Sequence, residues 1–452
     1  MKPRLISSHF LCLGCLGALV VAGAAASCGG GSSSPPMNPI YGTMGMLGDP
    51  SLAVVVSNLI YVDASINGSG GNSVLIDSGS PVVLIDGDPG VFPGLTLPTT
   101  QQVTVDFGLL DAAGASVVTI DQIPALQLTT DMGTIGSLAG LPGILGGDIM
   151  RDFSVQLDYA APMMEGFCLG CTSGPRDDVE SPGGAVTFTL AGGGVGTIAL
   201  NSGSSSVVTI PATRIPLTVG IEGTDDAHLH HFILDTGASE VTVTSTLYQS
   251  LIADGRAQLA GGLAISTVTN DMESASVTRA KTITLGGETV NDVPVMTIPV
   301  DDTQDDLLGN ISKELGYQLD GLLGGSFLKN FLLTIDYPNG TLHLQRYNTA
   351  PIPDEFRRVG FTIVLDSTGG HFVVSHVYPG TDAATKGVSV GDQVVAIAGQ
   401  QLDPVAQAVT ADNLLDGTPG TTIQIQFGKT MTASLTNQTV ALEVEDLIPN
   451  PQ

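Results

Sequence analysis

The sequence predicts a mainly β chain, in which two related lobes are followed by a smaller third unit. Its 452 residues include 58 glycines and no tryptophan, and 42% of them are hydrophobic. Runs of Val, Thr and Ile are broken by Gly and Asn, which is typical of strands joined by tight turns. A strand pattern that ends in Asp occurs twice in the middle of the chain, and the last hundred residues follow a different pattern.

The charge of the chain excludes one class of partner. Lys and Arg number 15 against 44 Asp and Glu, so the formal net charge is −29. Such a charge repels phosphate backbones and anionic lipid head groups, so we expect no nucleic-acid partner. Only 13% of the residues are charged, and a disordered acidic chain would carry more charge and fewer apolar residues.

The first 27 residues predict a secretory signal peptide. Lys2 and Arg4 precede a mostly apolar stretch, which ends in Ala25-Ala26-Ser27-Cys28 and is followed by a Gly/Ser-rich tether over 28–50. Removing those two basic residues takes the net charge from −29 to −31. The segment resembles a bacterial lipoprotein signal, which implies lipidation of Cys28 and a place in the periplasm or outer membrane. The alternative is ordinary cleavage that leaves Cys28 free. No later apolar run reaches 18 residues, so membrane attachment would be through the lipid alone.

The remaining cysteines form one CxxC pair. Cys168 and Cys171 lie between the two predicted lobes, whereas Cys12, Cys15 and Cys28 belong to the N-terminal segment. An oxidising compartment favours a local disulfide between Cys168 and Cys171. Redox catalysis and zinc binding are the alternatives. The first lacks a βαβ context, and the second needs two more ligands nearby.

The middle of the chain repeats one pattern. An alternating strand leads through a turn to an apolar strand ending in Asp, and each copy closes on a hydrophobic-Gly-Gly segment before another apolar strand. The copies occupy 60–68, 74–85 and 143–159, then 215–223, 232–243 and 321–337. The distance in sequence from the Asp to the last Gly of the closure is 70 residues in the first copy and 90 in the second. This duplication predicts lobes over 51–160 and 185–347, with a linker at 161–184.

Each copy carries an Asp-Ser/Thr-Gly motif at the end of a buried strand. Burial fixes the carboxylate, Gly lets backbones approach, and the hydroxyl can anchor to the other lobe. The pattern resembles the aspartic peptidases, and its closure resembles the bacterial retropepsin-like proteases more than pepsin. The resemblance implies a pair of β-barrels, an extended polypeptide substrate, no cofactor, and catalysis by Asp77 and Asp235. The implied supporting residues are Ser78, Gly79, Ser80, Thr236, Gly237 and Ala238.

The resemblance also implies how these residues divide their work. Asp77 and Asp235 would flank one water, one acting as base and the other donating a proton. Ser78 and Thr236 would anchor the lobes to each other. The Ser80 hydroxyl would bond to Asp77, which would then ionise first and leave the shared proton on Asp235. Flap candidates are the hairpins at 103–120 and 265–283. The alternative function is a peptide-binding protein of the same fold without catalysis.

The last hundred residues resemble a PDZ domain of the type found in bacterial proteases, over 355–447. The cue is Gly391-Asp392, followed by an apolar strand and Gly399. The resemblance implies a loop that captures a peptide C-terminus. Val359 stands there in place of the first Gly of the family. A domain that only docks on the protease is the alternative. The implied loop residues are Val359, Gly360, Phe361, Thr362 and Ile363.

Two further clusters of polar residues are candidates for metal sites, and for both the sequence favours an ordinary polar turn or loop. His228, His230 and His231 lie beside Asp225 and Asp226, and they could ligate zinc. They occupy a turn before the Asp235 strand, where polar residues are ordinary. The acidic run at 301–306 lacks the alternating ligands and the Gly of an EF-hand loop. The sequence therefore predicts an exported aspartic endopeptidase without a metal.

Overall fold

The computed structural model describes part of the chain. The described residues are 10–11, 40–44, 53–56, 58–69, 71–87, 91–92, 95, 102–110, 116–128, 142–160, 167–169, 176–180, 183–199, 205–266, 272–297, 307–366, 370–404, 411–431 and 433–448. Within these ranges, no helix is long and apolar enough to span a bilayer.

The first lobe is a closed barrel. Its elements, with two strands that precede it, are β1 Phe10–Leu11, β2 Ile40–Met44, β3 Ala53–Val56, β4 Leu59–Ile66, β5 Asn72–Ile76, β6 Val83–Asp86, β7 Gln102–Leu110, β8 Ser116–Leu128, β9 Gly143–Leu145, α1 Gly147–Met150, β10 Ser154–Asp158 and β11 Phe167–Leu169. Strands β4, β5, β9, β6, β8 and β7 pair in this cyclic order. The pairs β5–β9 and β6–β8 are parallel.

The second lobe repeats this topology. Its elements are β12 Gly184–Thr187, β13 Gly194–Ala199, β14 Ser205–Ile210, β15 Pro216–Ile221, β16 Leu229–Leu234, β17 Val241–Val243, α2 Ser245–Ala253, β18 Leu263–Ser266, β19 Met272–Leu285, β20 Glu288–Thr297, α3 Leu307–Leu315, β21 Gly321–Leu323, α4 Gly325–Leu328, β22 Phe331–Asp336 and β23 Thr341–Arg346. Strands β15, β16, β21, β17, β20 and β19 close the barrel. The pairs β16–β21 and β17–β20 are parallel, so the sequence repeat is a structural repeat.

One sheet joins the two lobes. Strands β10 and β22 pair antiparallel, with Val155 opposite Ile335 and Leu157 opposite Leu333. The sheet runs in the order β11, β10, β22, β23, β12. The alternating apolar residues of β10 face a cluster of buried side chains that is continuous through both barrels. The lobes therefore share a core, and burial of this apolar surface is the main term that holds them together.

The Gly-Gly closures explain why each lobe carries two adjacent glycines. A Cβ on the first Gly would meet its own lobe, since that of Gly146 would lie 2.3 Å from the carbonyl oxygen of Val82. A Cβ on the second would meet the other lobe, since that of Gly147 would lie 2.7 Å from Cβ of Thr213. The second copy repeats this arrangement: Gly324 packs on Glu240 of its own lobe, and Gly325 packs on Asn58 of the first lobe.

Asp148 follows the first closure as Ser326 follows the second. Asp148 Oδ2 accepts a hydrogen bond from the N–H of Val83 (3.1 Å), and Ser326 Oγ accepts one from the N–H of Val241 (2.9 Å). The two side chains therefore tie α1 and α4 to β6 and β17 in the same way. Burial raises the pKa of Asp148 to about 7.

This raised pKa gives a prediction for Asp148→Asn. Proton binding by Asp148 stabilises the folded state in acid, and that contribution is lost as the pH rises through about 7. Asn keeps an acceptor for the N–H of Val83 and does not ionise. We expect the urea midpoint of the variant to fall less than that of the wild type between pH 5 and 8. A variant midpoint that follows the wild-type pH dependence would contradict this assignment.

The C-terminal unit is a separate β domain. Its elements are β24 Arg357–Val359, β25 Phe361–Asp366, β26 His371–Val377, α5 Asp382–Thr385, β27 Gln393–Ile397, β28 Gln400–Gln401, a 3₁₀-helix at Ala411–Leu415, β29 Thr422–Phe427 and β30 Thr439–Asp446. The sheet order is β24, β30, β29, β27, β26, β25. This unit has its own apolar core, distinct from that of the lobes.

The C-terminal unit packs against the second lobe. Phe356, Tyr378 and Ile448 are buried together with side chains of β19 and β20 in one apolar cluster. Arg279 of β19, which is 2% exposed, donates Nε to the carbonyl of Ile448 (3.0 Å) and Nη2 to Asp446 (3.1 Å). Buried cations need such partners, and this arginine finds them in the C-terminal unit. The linkage is therefore a packed interface.

Several sequence predictions concern residues outside the described ranges. These are the tether residue Cys28, the side chains of Cys168 and Cys171, and the acidic run at 301–306. Of the predicted signal peptide, the described part is β1, which pairs parallel with β18. The backbone of Cys168 lies in β11, opposite Gln156.

The two flap candidates are not equivalent in the repeat. The hairpin at 103–120 is β7–β8, whose counterpart in the second lobe is β19–β20, turning at Gly286 and Gly287. The hairpin at 265–283 is instead β18–β19. The tips at 111–115 and 267–271 lie outside the described residues.

Candidate active site

The two Asp-Ser/Thr-Gly motifs occupy equivalent positions where the lobes meet. Asp77 follows β5, and its N–H donates to the carbonyl of Leu145 (3.1 Å). Asp235 follows β16, and its N–H donates to the carbonyl of Leu323 (3.1 Å). Both carboxyls are completely buried. The parallel pairs β5–β9 and β16–β21 thus fix each Asp at the start of its loop.

The glycines of the two motifs bring the carboxyls together. A Cβ on Gly79 would lie 2.5 Å from Cγ of Asp235, and one on Gly237 would lie 2.3 Å from Cγ of Asp77. Real Cβ atoms do not approach other atoms so closely, so only Gly fits at either position. Each motif therefore supplies the space that the carboxyl of the other motif occupies.

The hydroxyls of Ser78 and Thr236 cross-link the loops. Ser78 Oγ donates to the carbonyl of Leu234 (3.0 Å) and accepts from the N–H of Thr236 (3.1 Å). Thr236 Oγ1 donates to the carbonyl of Ile76 (3.0 Å) and accepts from the N–H of Ser78 (2.9 Å). Four buried hydrogen bonds therefore hold the two loops in register.

One oxygen of each dyad carboxyl is held by backbone amides. Asp77 Oδ1 accepts from the N–H groups of Gly79 (2.8 Å) and Ser80 (3.0 Å). Asp235 Oδ1 accepts from the N–H of Gly237 (3.0 Å). Within the described chain, no group outside this pair donates to Oδ2 of Asp77 or to Oδ2 of Asp235. These two oxygens are the ones available for proton sharing.

The environments of the two carboxyls are not equal. Burial raises the pKa of both, and the charge of Asp235 raises that of Asp77 further, well above its ordinary value. The pKa of Asp235 is also raised by burial, but a hydrogen bond from Asp77, the N–H of Gly237 and the charge of Arg214 oppose that rise. Two close buried carboxyls share one proton. Asp77 and Asp235 are such a pair.

The Ser80 hydroxyl does not reach Asp77, contrary to the expectation from the sequence. Ser80 Oγ donates to the carbonyl of Val82 (2.8 Å), and it is the backbone N–H of Ser80 that reaches Asp77. Ala238 has the same backbone N–H, which acts on Asp235. The predicted bond from the Ser80 hydroxyl to Asp77 is therefore wrong, and with it the reason for placing the shared proton on Asp235.

We accordingly expect Ser80→Ala to leave the dyad unperturbed. The variant keeps the backbone N–H and loses only a hydrogen bond to Val82, which contributes about 1 kcal/mol to stability. The acidic limb of the profile of kcat/KM against pH should match the wild type. A displaced limb would show that the hydroxyl does act on Asp77.

Arg214 is a site residue that the sequence analysis missed. Its side chain is 2% exposed, and its Nη1 donates to the carbonyl of Gly79 in the first motif. Its Nε donates to Oε2 of Glu314 in α3 (3.1 Å). No motif marks this arginine, because it precedes β15 by two residues, and its partners are 135 and 100 residues away in sequence.

The predicted peptide-binding loop of the C-terminal unit is buried. Val359, Gly360, Phe361, Thr362 and Ile363 all have little exposed surface. The N–H of Ile363 donates to Oδ1 of Asp412 (2.8 Å), and Asp412 Oδ2 accepts from Arg358 (2.7 Å). An internal carboxylate therefore occupies one amide of the loop that was predicted to receive a peptide C-terminus.

The histidines of the candidate zinc cluster bind separate carboxylates. His228 contacts Asp225 (2.6 Å), and Nδ1 of His230 lies 3.6 Å from Oδ2 of Asp320. Over the described ranges, no group of three or more His, Cys, Asp or Glu side chains is placed to hold a metal ion.

Comparison with known proteins agrees with this architecture. Residues 217–327 match the aspartyl protease family, and residues 352–426 match the PDZ domain family. Among solved structures, an aspartic proteinase from Irpex lacteus is similar at 15% identity and a TM-score of 0.38, with 66% of this chain and 97% of that chain covered. No curated protein matches the chain significantly. The two family models thus confirm the resemblance read from the motifs, one over part of the second lobe and one over most of the unit that follows.

Proposed function

We propose that this protein is an exported aspartic endopeptidase, which cleaves extended polypeptides by means of a water held between Asp77 and Asp235. The observation that carries the proposal is the reciprocal packing of the motifs, in which Gly79 lies against Asp235 and Gly237 lies against Asp77. A binding protein would have no need to bury two carboxyls against each other, because like charges in a low dielectric oppose folding.

The proposed reaction uses the unequal protonation of the dyad. The ionised carboxylate takes a proton from the water as it attacks the scissile carbonyl carbon. The protonated carboxyl donates to the carbonyl oxygen, which gains negative charge as the tetrahedral intermediate forms. Proton transfer to the amide nitrogen then releases the amine and the acid. The loops that hold Ser78 and Thr236 keep both carboxyls in place throughout.

The test is cleavage of casein and of a peptide library by the protein from residue 28 onwards. Asp77→Asn and Asp235→Asn should each lower kcat/KM by several orders of magnitude, because neither leaves a proton-sharing pair. Asp63→Asn is the matched control, since Asp63 lies in β4 and bonds to Ser73 away from the dyad. It should retain wild-type activity.

The outcomes separate the proposal from its alternative. Equal cleavage by the wild type and both dyad variants would exclude the dyad. If the wild type cleaves nothing between pH 3 and pH 8 but binds library peptides, the protein is a peptide-binding protein of the same fold.

The location of the protein is part of this proposal. It rests on the basic, apolar and small-residue segments before Cys28 and on the Gly/Ser-rich tether after it. A lipidated Cys28 predicts that the protein fractionates with membranes and that Cys28→Ser releases it. Wild-type protein found in the soluble fraction would contradict the lipid anchor.

The PDZ domain is proposed to dock peptide partners of the protease. A peptide carboxylate that binds at Ile363 has to displace Asp412. A peptide that pairs along β25, without capture of its C-terminus, leaves the bond between Ile363 and Asp412 in place. Fluorescence polarisation with peptides that end in a free or an amidated carboxyl group distinguishes these two binding modes, since only C-terminal capture depends on the free carboxylate.

A further inference from the structure

Arg214 introduces an asymmetry between the two halves of the site. Pro216 pairs with Ile233, two residues before Asp235, and Tyr61 pairs with Leu75, two residues before Asp77. Arg214 and Leu59 precede those two residues by the same interval. The repeat therefore places an arginine on one side of the site and a buried leucine on the other.

The guanidinium and the carboxyl of Asp235 both pack against Gly79. Its Nη1 bonds to the carbonyl of Gly79, and Gly79 packs directly on the carboxyl of Asp235. Arg214 is buried, so solvent screens its charge little. Its field therefore favours the ionised form of Asp235 over that of Asp77, which has Leu59 at the equivalent place.

Resting on the proposed function, we propose that Arg214 is a positioning residue that assigns the roles of the dyad. It keeps Asp235 ionised as the general base and leaves the proton on Asp77 as the general acid. Glu314 moderates this effect, because its carboxylate pairs with the same guanidinium (3.1 Å) and offsets part of its charge.

The ionisable groups that face this part of the site come from several elements. Glu314 faces Arg214 from α3, and its Oε1 also accepts from the N–H of Gly193 (2.8 Å). Tyr337, at the end of β22, is buried near Asp77, and its pKa is raised by burial and by the Asp77 charge. Tyr337 is neutral over the working range of an acidic dyad. Among the ionisable side chains named here, the charges that distinguish the two carboxyls are therefore those of Arg214 and Glu314.

Paired substitutions separate an electrostatic role from a structural one. Arg214→Gln and Glu314→Gln break the same ion pair, so a purely structural role predicts the same change in both. The electrostatic role predicts opposite changes. Loss of the cation should move the acidic limb of the kcat/KM profile to higher pH by up to about one unit. Loss of Glu314 should leave the cation unopposed and move that limb to lower pH. Arg214→Lys keeps the charge and should restore the wild-type limb.

A second measurement does not depend on proteolysis. With ¹³C-labelled aspartate carboxyls, the remaining dyad carboxyl is titrated in Asp77→Asn and in Asp235→Asn. We expect Asp235 to titrate at lower pH than Asp77, and Arg214→Gln to narrow the gap. The role of Arg214 would be overturned if the acidic limb of the kcat/KM profile moves in the same direction in Arg214→Gln and Glu314→Gln. It would also be overturned if Arg214→Gln leaves the difference between the titration midpoints of Asp235 and Asp77 unchanged. If the wild type does not cleave but that difference narrows in Arg214→Gln, the proposed function fails while the electrostatic role stands.

Discussion

Gly237→Ala is expected to abolish the proposed peptide hydrolysis. The added Cβ would lie 2.3 Å from Cγ of Asp77, so either the carboxyl or the whole loop has to move. A displacement of about 1 Å lowers the rate of a positioned reaction about a hundredfold. Overpacking of a buried site also costs about 1–3 kcal/mol of folding free energy. The measurements are kcat/KM on a peptide substrate and the urea midpoint.

Gly79→Ala should have the same effect through the other carboxyl. Its Cβ would lie 2.5 Å from Cγ of Asp235, so the repeat predicts matched losses. Gly417→Ala in the PDZ domain serves as the control, because its nearest neighbour is a side-chain carbon of Val444 at 3.2 Å. Full activity in Gly237→Ala would show that the motifs do not pack as the structure has them.

Lys329→Met is expected to destabilise the protein by about 3–5 kcal/mol, because it leaves a buried carboxylate without its cation. Lys329 Nζ donates to Oε2 of Glu355 (2.7 Å) and to the carbonyl of Pro353 (3.0 Å), and both charged side chains are almost fully buried. The charge of Lys329 and a hydrogen bond from Glu240 lower the pKa of Glu355 to about 2, against the effect of burial. The pKa of Glu240 is raised, so Glu240 holds the proton of this second carboxyl pair.

A double variant tests that explanation. Adding Glu355→Gln to Lys329→Met removes the stranded charge and should recover part of the lost stability. Lys386→Met is the matched control: its pair with Asp382 (2.8 Å) is exposed, so the loss should stay below about 1 kcal/mol. Urea unfolding measures all three variants. A small loss in Lys329→Met alone would mean that water reaches the cluster.

The lobes, the dyad residues and the C-terminal fold were predictable from the sequence. Strand periodicity and the position of Gly are local signals in the sequence, and each of them occurs in both copies of the repeat. The motif Asp77-Ser78-Gly79 could be recognised for that reason. The direction of the Ser80 hydroxyl could not, because its acceptor, the Val82 carbonyl, depends on how the next residues turn.

Buried charges at the junctions were not predictable. No motif marks Arg214, Arg279 or Lys329, and their partners lie 100, 169 and 26 residues away in the sequence. Charge composition does not show which residues pair, so the sequence left open whether the PDZ domain captures a peptide or only docks on the protease. The structure instead places Glu355, at the start of that domain, against Lys329 of the second lobe.

The Gly-Gly closures have a consequence for how this duplicated chain can diverge. Gly147 and Gly325 each pack on the opposite lobe, so a larger side chain at either position would clash with residues of the other lobe. Substitutions at these contacts must therefore be accepted in pairs, whereas length changes away from them need no partner. The 20 additional residues between motif and closure in the second copy accordingly lie in a stretch that includes α2, which packs on β19 and β20 of its own lobe.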